Sequence, residues 1–523
     1  MNLKLMALVS GLVLFIITFF TGCPPVLAAP PAGEIKIMSS TFGNEIPIPC
    51  FESSHSKNWM MLLYDYLVAY TPDGKLSPDL GLARRSEISA DGLTWTFHLR
   101  KGVKFHDGVE LTAKDVKFSI ELLMHPDSVA DNRSFIKAAV KSIEIKDPYT
   151  MVVHCKKPTL FLESVLSNME STDGIILPKD YYEKLGKDGF AKRPIGSGPY
   201  KWHSQQVGSF IKLEATDRHW RDGVPKYKYM TFLIIPEEST RLAMLKTGEG
   251  DITRIGRESL KDARGAGLNV VTKERSANLN GSINMQWTSP VFSDLRFRKA
   301  INIAIDRPSI VKNIFAGMAE PLANWPGSAI SLVGGDPTLK PYPYDPQEAR
   351  RLIKEGGWEG HEFTLMSYPR PACPEMPQFI EALAGYWEKI GLKPKIVRSE
   401  WAIYRQALSG RKTQNTIHFT DALVTPERGL ILTTMQERFY FSKSPRSRVN
   451  IPELTQRFER IDRSLDLDEI SKLMVEVYRY SYDHYLEIPI CELNDLITTT
   501  KRIPPWNPGI RRNEMNVHDL IKQ

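Results

Sequence analysis

Residues 80–124 carry the strongest structural pattern of this chain and read LGLARRSEISADGLTWTFHLRKGVKFHDGVELTAKDVKFSIELLM. Within this stretch, polar residues alternate with four apolar ones, Leu93, Trp95, Phe97 and Leu99. An alternation with a period of two is typical of a β-strand that buries one face. We therefore predict a half-buried strand here.

A helix is predicted shortly after this strand. Glycine-containing turn sequences occur at Arg100-Lys101-Gly102 and at Asp107-Gly108. Thr112, followed three positions later by Asp115, forms a capping box, which is a common start of a helix. The buried face of this helix would consist of Val116, Ser119, Ile120 and Leu123.

The same stretch resembles the family 5 solute-binding proteins of ABC importers, which include peptide and nickel receptors. The family pattern runs W-x-x-S-x-DG-x-T-[WY]-TF-x-LR-x-GVKFHDG-x-x-[LF]-TA-x-DV-x-F-S. The chain matches this pattern at most positions from Ser89 to Val116. It departs from it at the first tryptophan, since it reads Ala83-Arg84-Arg85 there.

Further segments are similar to other motifs of this family, and the agreement fades after about residue 410. These segments are Leu62 to Leu67, the hinge-like Ile195-Gly196-Ser197-Gly198-Pro199-Tyr200, Lys246 to Asp251, Pro290 to Pro321 and Asp345 to Gly357. The resemblance therefore covers most of the chain.

The resemblance implies an α/β, bilobal periplasmic-binding-protein fold of the class II-like, cluster C type. Two α/β lobes and one extra inserted domain are expected. Lobe I would comprise 34–76, 196–283 and 489–523, the inserted domain 77–195, and lobe II 284–488. The chain would cross between the lobes twice, near 280–286 and 486–492, which makes a two-crossover hinge that permits closure.

The composition agrees with an ordinary globular protein of more than one domain. The chain has 523 residues, of which 42% are hydrophobic and 25% are charged. This length is too great for a single core. The formal net charge of +7 is small for this length, and we find no nucleic-acid motif, so no nucleic-acid partner is expected.

The first 28 residues are predicted to be an export signal. Lys4 precedes an apolar run from Leu5 to Phe20, which is short for a membrane span. Two processing routes remain open. Phe20-Thr21-Gly22-Cys23 resembles a lipobox, which would leave Cys23 lipidated, whereas cleavage after Ala28 would leave no lipid anchor.

The other cysteines are Cys50, Cys155, Cys373 and Cys491, and none of them has the C-x-x-C spacing of a zinc site. Export permits disulfides. The family fold would bring Cys50 and Cys491 near lobe I, so either one bridge or four buried thiols is expected. No metal site and no cofactor are predicted.

In lobe II, candidate ligand-binding residues follow the strand expected at Lys393 to Val397. They are Trp401, Tyr404, Arg405 and Asp421. The charged amino terminus of a buried peptide needs a carboxylate partner, and Asp421 is the candidate for that role. Family peptide receptors usually carry a W-x-x-D-Y-x-D-P-like stretch here, whereas this chain reads Asp421-Ala422-Leu423-Val424-Thr425-Pro426.

In lobe I and at the hinge, the candidate ligand-binding residues follow strand ends or flank the crossing. They are Thr41, Phe42, Asn44, Asn278, Asn284, Gln286 and Trp287. Packing or turn roles explain these residues equally well. Trp287 departs from the small or polar residue that is common in the family, and it could stack on a flat ligand.

The resemblance implies a non-enzymatic, extracytoplasmic subunit that captures a solute, with di- or oligopeptides leading, and delivers it to ABC permease subunits. It would act as a monomer in the periplasm or on the outer face of the cytoplasmic membrane. Nickel chelates, haem, opines or oligosaccharides remain alternative ligands, and sensing or chaperone activity remains an alternative role.

An enzyme is a remote alternative. Three short motifs of penicillin-recognising serine acyltransferases occur at Ser54-x-x-Lys57, Ser276-x-Asn278 and Lys246-Thr247-Gly248. Such short matches arise by chance in a chain of this length, and the Lys-Thr-Gly element should come last.

Overall fold

The structure is a computed structural model. It describes residues 29–52, 54–72, 74–169, 171–283, 289–324, 336–368, 373–399, 401–422, 447–509 and 515–522. For 54, 276–278, 282, 401–402, 405, 409 and 421–422 only the backbone is described. The predicted export signal with Cys23, and the candidates Asn284, Gln286 and Trp287, lie outside the described residues.

The described strands are β1 (Glu34–Ser39), β2 (Ala83–Ile88), β3 (Thr94–Leu99), β4 (Val140–Asp147), β5 (Thr150–Cys155), β6 (Tyr200–Gln206), β7 (Phe210–Ala215), β8 (Tyr229–Ile234), β9 (Ile252–Ile255), β10 (Asn269–Ile283), β11 (Ala319–Pro321), β12 (Glu362–Ser367), β13 (Lys393–Arg398), β14 (Thr416–Ala422) and β15 (Glu487–Thr499).

The described helices are α1 (Lys57–Leu63), α2 (Ala113–Leu123), α3 (Arg133–Ala139), α4 (Leu162–Val165), α5 (Lys179–Lys192), α6 (Glu238–Thr247), α7 (Leu260–Gly265), α8 (Pro290–Ser293), α9 (Leu295–Ile303), α10 (Arg307–Asn313), α11 (Pro346–Glu355), α12 (Met376–Glu388), α13 (Trp401–Ser409), α14 (Pro452–Ile461), α15 (Leu467–Asp483) and α16 (Val517–Leu520). Short 3₁₀ turns occupy Pro49–Phe51, Ser54–Ser56 and Arg257–Ser259.

The strand and helix predicted within 80–124 are present, but the prediction for Leu93 is wrong, because it precedes β3 in the turn after Gly92 and is 36% exposed. In β3 buried and less buried positions alternate, and the stacked rings of Trp95 and Phe97 lie in the core. Thr112 and Asp115 form the predicted capping box at the start of α2. The four predicted core positions of α2 are buried, because they share one face of the helix.

Strands β2 to β5 form a small antiparallel sheet in the order β2-β3-β5-β4. Its β4–β5 pair is a hairpin with Asp147-Pro148 at the turn. The buried side chains of this sheet and of α2 join those of β1 and α1 in one continuous cluster. The segment predicted as an inserted domain therefore shares its core with lobe I.

The larger sheet has the order β13-β12-β14-β10-β15-β9-β1-β8-β7-β6, and β11 pairs with β15. At one end β1 runs parallel to β8 and β9, and at the other end β12 runs parallel to β13 and β14. Between them run the long antiparallel strands β10 and β15. Two parallel α/β units are thus joined by a pair of long strands.

The side chains on the two sides of this pair form separate cores. One core holds Trp59 and Phe232 of lobe I, and the other holds Trp387 and Phe419 of lobe II. The β10–β15 register shifts between Lys273 and Ala277, where Arg275 has φ +50°, and again after Leu279. These β-bulges lie at or just before the predicted crossing at 280–286, and such irregularities locally weaken pairing.

Two of the family-like motifs meet on the lobe I side. His106, from the GVKFHDG turn, accepts a hydrogen bond from the Gly196 N–H at 3.2 Å and contacts the Gly198 oxygen at 3.0 Å. Burial lowers the pKa of His106 to about 4, so the ring is neutral. A Cβ at Gly196 would lie 2.0 Å from the Leu63 oxygen, which explains the glycine.

The bridge considered between Cys50 and Cys491 is not formed, because both are thiols, and all four cysteines of the described residues are buried. Cys50 packs in the first core, whereas Cys491 packs in the second. The predicted boundary at 489 grouped Cys491 with lobe I, but its side chain faces lobe II. Burial raises the pKa of Cys50 to about 12 and also raises that of Cys491.

The thiols should therefore be inert in the native protein. We expect a chain that starts at Ala29 to show almost no reaction with Ellman's reagent, because burial blocks both access and thiolate formation. In urea without reductant, all four thiols should react. A count of two thiols under these denaturing conditions would instead reveal a disulfide.

In the described parts of the chain, the helices lack the length and apolar character needed to cross a membrane.

Candidate functional site

A cleft of about 950 Å³ lies between the two lobes. Its walls are the carboxyl ends of the parallel strands β1, β8 and β9 on one side and of β12 and β13 on the other. Ligands of open α/β sheets bind outside the carboxyl ends of the strands, because the connecting loops converge there. The carboxyl ends of the strands of both lobes therefore border one site.

The lobe I wall is mostly polar. It comprises Ser39, Ser40 and Thr41 after β1, then Pro236, Glu238 and Arg241 around the start of α6, and Thr253, Arg254, Ile255 and Arg257 from β9 and the following turn. Hinge strand β15 contributes Asn494, Asp495 and Leu496.

The lobe II wall is more apolar. It comprises Ser367 and Tyr368 after β12, Pro374 and Pro377 at the start of α12, Arg398 and Ser399 after β13, and Ile403 on α13. Ile403 is 65% exposed, so its aliphatic side chain is accessible to a ligand in the cleft.

Among the described lining residues, four arginines face two carboxylates. Arg254 is neutralised by Asp495, with Nε 2.7 Å from Oδ2. The other lining carboxylate, Glu238, accepts hydrogen bonds from the Gly256 N–H at 2.9 Å and the Ser259 hydroxyl at 2.6 Å. Two of the remaining arginines pair with carboxylates outside the lining, Arg257 with Glu375 and Arg398 with Glu381.

Arg257 connects the lobes. Its Nη1 donates to Glu375 Oε2 of lobe II at 2.9 Å, and its backbone N–H donates to Oε1 at 3.0 Å. Its Nη2 donates to the Asn494 oxygen of β15 at 2.6 Å. Both charged side chains of this pair are only 3% exposed. The pair therefore ties lobe I, lobe II and the hinge together at the base of the cleft.

The lobe I candidates Thr41, Phe42 and Asn44 lie in three different environments. Thr41 lines the cleft. Phe42 is buried and packs edge-to-face on Phe232 at 5.3 Å, so its side chain belongs to the core. Asn44 forms a turn, since its N–H donates to Glu52 Oε2 and its Nδ2 to the Phe51 oxygen, both at 2.9 Å. Ligand contacts by Phe42 and Asn44 stay predictions that this arrangement does not favour.

Of the remaining candidates, only Tyr404 has a described side chain. It is buried, stacks on the cleft residue Tyr368 at 6.0 Å, and its hydroxyl hydrogen-bonds with His418 Nδ1 at 2.9 Å. It therefore supports the cleft wall from behind.

The structure gives backbone positions alone for Asn278, Trp401, Arg405 and Asp421. Asp421 pairs with Leu279 near the carboxyl end of β14, which lies beside β12. Trp401 and Arg405 lie on α13, the helix that carries Ile403. The predicted lobe II positions are therefore grouped at the cleft edge of that lobe.

Sequence reasoning missed Arg241, Arg257, Glu375, Tyr368 and Ile403. A usable pattern was present, because the apolar stretch from Tyr227 to Ile235, which is typical of a buried strand, ends directly before the segment Pro236-Glu237-Glu238. Polar residues directly after a buried parallel strand indicate a site edge. The pairing of Arg257 with Glu375, 118 positions apart, leaves no local pattern.

The acyltransferase-like motifs have other roles in the structure. The Lys57 side chain is buried and donates to the Met169 oxygen at 3.1 Å. Lys246 lies on the exposed side of α6 and pairs with Asp262 at 2.8 Å.

Comparison with known proteins shows the family. A sequence profile for bacterial extracellular solute-binding proteins, family 5 (middle), matches residues 77–422. This match covers more than half of the chain, so the chain belongs to that family.

Curated relatives carry peptide-related names. The glutathione-binding protein GsiB of Salmonella paratyphi A is 31% identical over 320 residues, which are 60% of each chain. The di/tripeptide-binding protein 1 of Pseudomonas aeruginosa is 31% identical over 354 residues, 63% of this chain and 65% of the relative. The alignments thus span less than two thirds of these relatives.

Solved structures show the same fold. The periplasmic protein DppA of Helicobacter pylori, in complex with the peptide STSA, has a TM-score of 0.77 at 24% identity and covers 94% of this chain and 98% of its own. The oligopeptide-binding protein AppA of Bacillus subtilis, with a nonapeptide, has a TM-score of 0.76 at 21% identity and covers 94% and 98%. The predicted bilobal α/β fold is thereby confirmed.

Proposed function

We propose that this chain is the extracytoplasmic solute-capture subunit of an ABC importer, that it binds a peptide-like solute between its lobes, and that it hands the solute unchanged to membrane permease subunits. The observation that carries this proposal is the cleft of about 950 Å³, whose walls come from both lobes. A cavity of this size accommodates a small peptide.

The architecture supports capture by closure. A ligand that contacts both walls favours the closed form only through its better contacts there. The bulged strands β10 and β15 supply the flexible connection, and the Arg257–Glu375 pair forms across the lobes. We propose that the chain is divided into lobe I, an inserted domain and lobe II, with the boundaries that the sequence predicts.

Peptides are the leading ligand class, because the relatives are named for glutathione and for di- or tripeptides. Within this proposal Asp421 holds the ammonium group of the peptide, and Trp401 and Arg405 contact its side chains. Structural neighbours have been solved with Ni(L-His) and with agropinic acid, so metal chelates and opines belong in the same binding screen.

The proposed location is the periplasm or the outer face of the cytoplasmic membrane, as a monomer, with or without a lipid on Cys23.

A thermal-shift screen tests the proposal. At a ligand concentration of 100 Kd, a ligand that binds only the folded state adds about 2.7 kcal/mol of stability. We therefore expect a tripeptide library to raise the melting temperature by a few degrees, and the Ni(L-His) chelate and agropinic acid to raise it less.

A matched pair of variants shows whether the shift comes from the cleft. Ile403→Arg places a bulky charge on the exposed cleft wall and should abolish the shift. Val207→Arg makes the same change at a position that is 77% exposed, in the β6–β7 turn, and should leave the shift intact. An equal shift in both variants would place binding outside the cleft, and no shift with any probe would contradict the proposed function.

A further inference from the structure

Arg241 differs from the other arginines of the cleft. It is only 8% exposed, yet it lines the cavity. Its Nε donates to Thr253 Oγ1 at 3.1 Å, and its Nη1 donates to the oxygens of Ile235 and Pro236 at 2.7 Å each. The guanidinium group is therefore held rigidly at the carboxyl ends of β8 and β9.

One edge of this guanidinium group remains open. Among the described residues, Arg241 Nη2 has no hydrogen-bond partner, and Arg241 forms no ion pair. The Nη2 atom is not fully enclosed by protein, so it is accessible from the cavity. Glu238, one turn earlier on α6, directs its Oε1 to Gly256 and Ser259.

Two carboxylates, Glu237 and Glu238, lie near enough to act on the charge of Arg241, but neither forms an ion pair with it. Helix α6 begins at the cleft with Glu238, and Pro377 in the first turn of α12 lines the opposite wall. Helix N-termini carry a partial positive charge and unpaired N–H groups. The hydroxyl groups of Ser39 and Ser40 line the same wall. A buried arginine with a free edge gains most from a carboxylate, which accepts charge-assisted hydrogen bonds.

We infer that Arg241 is the lobe I anchor for a carboxylate of the bound solute, so that the cleft selects peptides with a free carboxylate over their amides. This inference rests on the proposed function, and it names the substrate class of the same cleft. A peptide held in this way would span the two lobes, with its carboxylate on lobe I.

The test compares a tripeptide library with free carboxyl termini against the same library as carboxyl-terminal amides. For the wild-type protein, the concentration that gives half of the maximal thermal shift should be about 10- to 100-fold lower for the free acids. For Arg241→Met, this ratio should fall to nearly one. If free acids and amides gave half of the maximal shift at equal concentrations in the wild type, the proposed role of Arg241 would be wrong. The proposed capture of peptides would not be affected.

Arg298→Met is the matched control. Arg298 is also buried and donates to backbone oxygens, those of His484, Phe292 and Ser293, but it lies outside the described cleft lining. This variant should keep the preference for free acids even if it is less stable. If Arg241→Met also keeps the preference for free acids, the proposed role of Arg241 as the carboxylate anchor is wrong.

A second variant, Arg241→Lys, tests the same role if Arg241→Met does not fold. Arg241→Lys can still donate to the oxygens of Ile235 and Pro236, but it lacks the second edge that would hold a carboxylate. Its acid-to-amide ratio should fall severalfold, and an unchanged ratio overturns the anchor. If neither library shifts the wild type, the proposed function fails and the anchor fails with it.

Discussion

Replacing Glu375 with alanine should destabilise the protein by about 3–5 kcal/mol, the cost of leaving a buried charge without its partner. Arg257 would keep the Asn494 oxygen as its remaining hydrogen-bond acceptor. Its Nε has no hydrogen-bond partner among the described residues, so the guanidinium group would keep only this oxygen and the ring of Phe315, 5.6 Å away, in that part of the chain. Urea unfolding, followed by circular dichroism, measures the loss.

The same helix supplies the control. Glu381 on α12 contacts Arg398 at 3.5 Å, and both side chains are largely exposed, so Glu381→Ala should leave unfolding unchanged within error. The double variant Arg257→Met with Glu375→Met should recover much of the loss, because a buried ion pair is often replaceable by apolar side chains. Equal unfolding midpoints for Glu375→Ala and Glu381→Ala would show that the pair contributes nothing.

This pair also bears on closure. Because it joins the two lobes, its removal should favour the open form and raise the radius of gyration of the ligand-free protein in solution scattering. A ligand would then need a higher concentration to close the cleft. A stability loss without any change in the radius of gyration would assign the pair to packing at the hinge alone.

Much of the fold was predictable because its determinants are local. The capping box at Thr112, the Asp345-Pro346 helix start and the apolar stripe through Trp387 each specify an element within a few residues. Capping and periodicity depend on residues that are close in sequence, so they can be recognised without knowledge of long-range contacts. These elements lie in the structure where the sequence predicts them.

The cleft was less predictable because it forms by convergence of distant segments. Arg241 reads as an ordinary helix residue until β8 and β9 place it beside the cavity. Phe42 follows a strand end, as a cleft residue would, but its side chain turns into the core against Phe232. Position after a strand therefore predicts the edge of the site, whereas side-chain direction depends on the tertiary packing.

A second large effect is expected at Asp65, which is fully buried at the contact of two family-like motifs. Its Oδ2 accepts hydrogen bonds from the Ser197 hydroxyl at 3.0 Å and from Trp220 Nε1 at 2.8 Å, and it pairs with His219 Nε2 at 3.1 Å. Arg221 lies 3.6 Å from Oδ1. Asp65→Ala should therefore cost up to about 3–5 kcal/mol near pH 6, because among the described residues His219 and Arg221 would keep only Asp222 as a carboxylate partner.

The effect should depend on pH in a defined direction. Burial alone would lower the pKa of His219, but the charge of Asp65 and a hydrogen bond with Asp222 outweigh it, and the pKa is raised above 6.5. Burial alone would raise the pKa of Asp65, but His219 and Arg221 outweigh it, and the pKa is lowered below 3.8.

The directions of these two pKa shifts define the pH range in which the network stabilises the fold. A protonated His219 contributes stability that is fully present below pH 6.5 and is lost as the pH rises through the pKa of the folded state. Ionised Asp65 contributes stability that is present above pH 3.8 and is lost as the pH falls through its lowered pKa. The difference in unfolding free energy between wild type and Asp65→Ala should thus be largest between about pH 4 and 6.5.

Urea unfolding at pH 5, 7 and 9 measures this difference. The wild type should lose part of its advantage over Asp65→Ala progressively above pH 6.5, because His219 gives up its proton while Arg221 stays charged. Asp79→Ala is the control, since Asp79 is an exposed carboxylate 3.6 Å from Arg100 and should show no such pH dependence. A wild-type advantage that stays constant from pH 5 to pH 9 would mean that the charge of His219 does not contribute and that Asp65 acts through Arg221 and its hydrogen bonds.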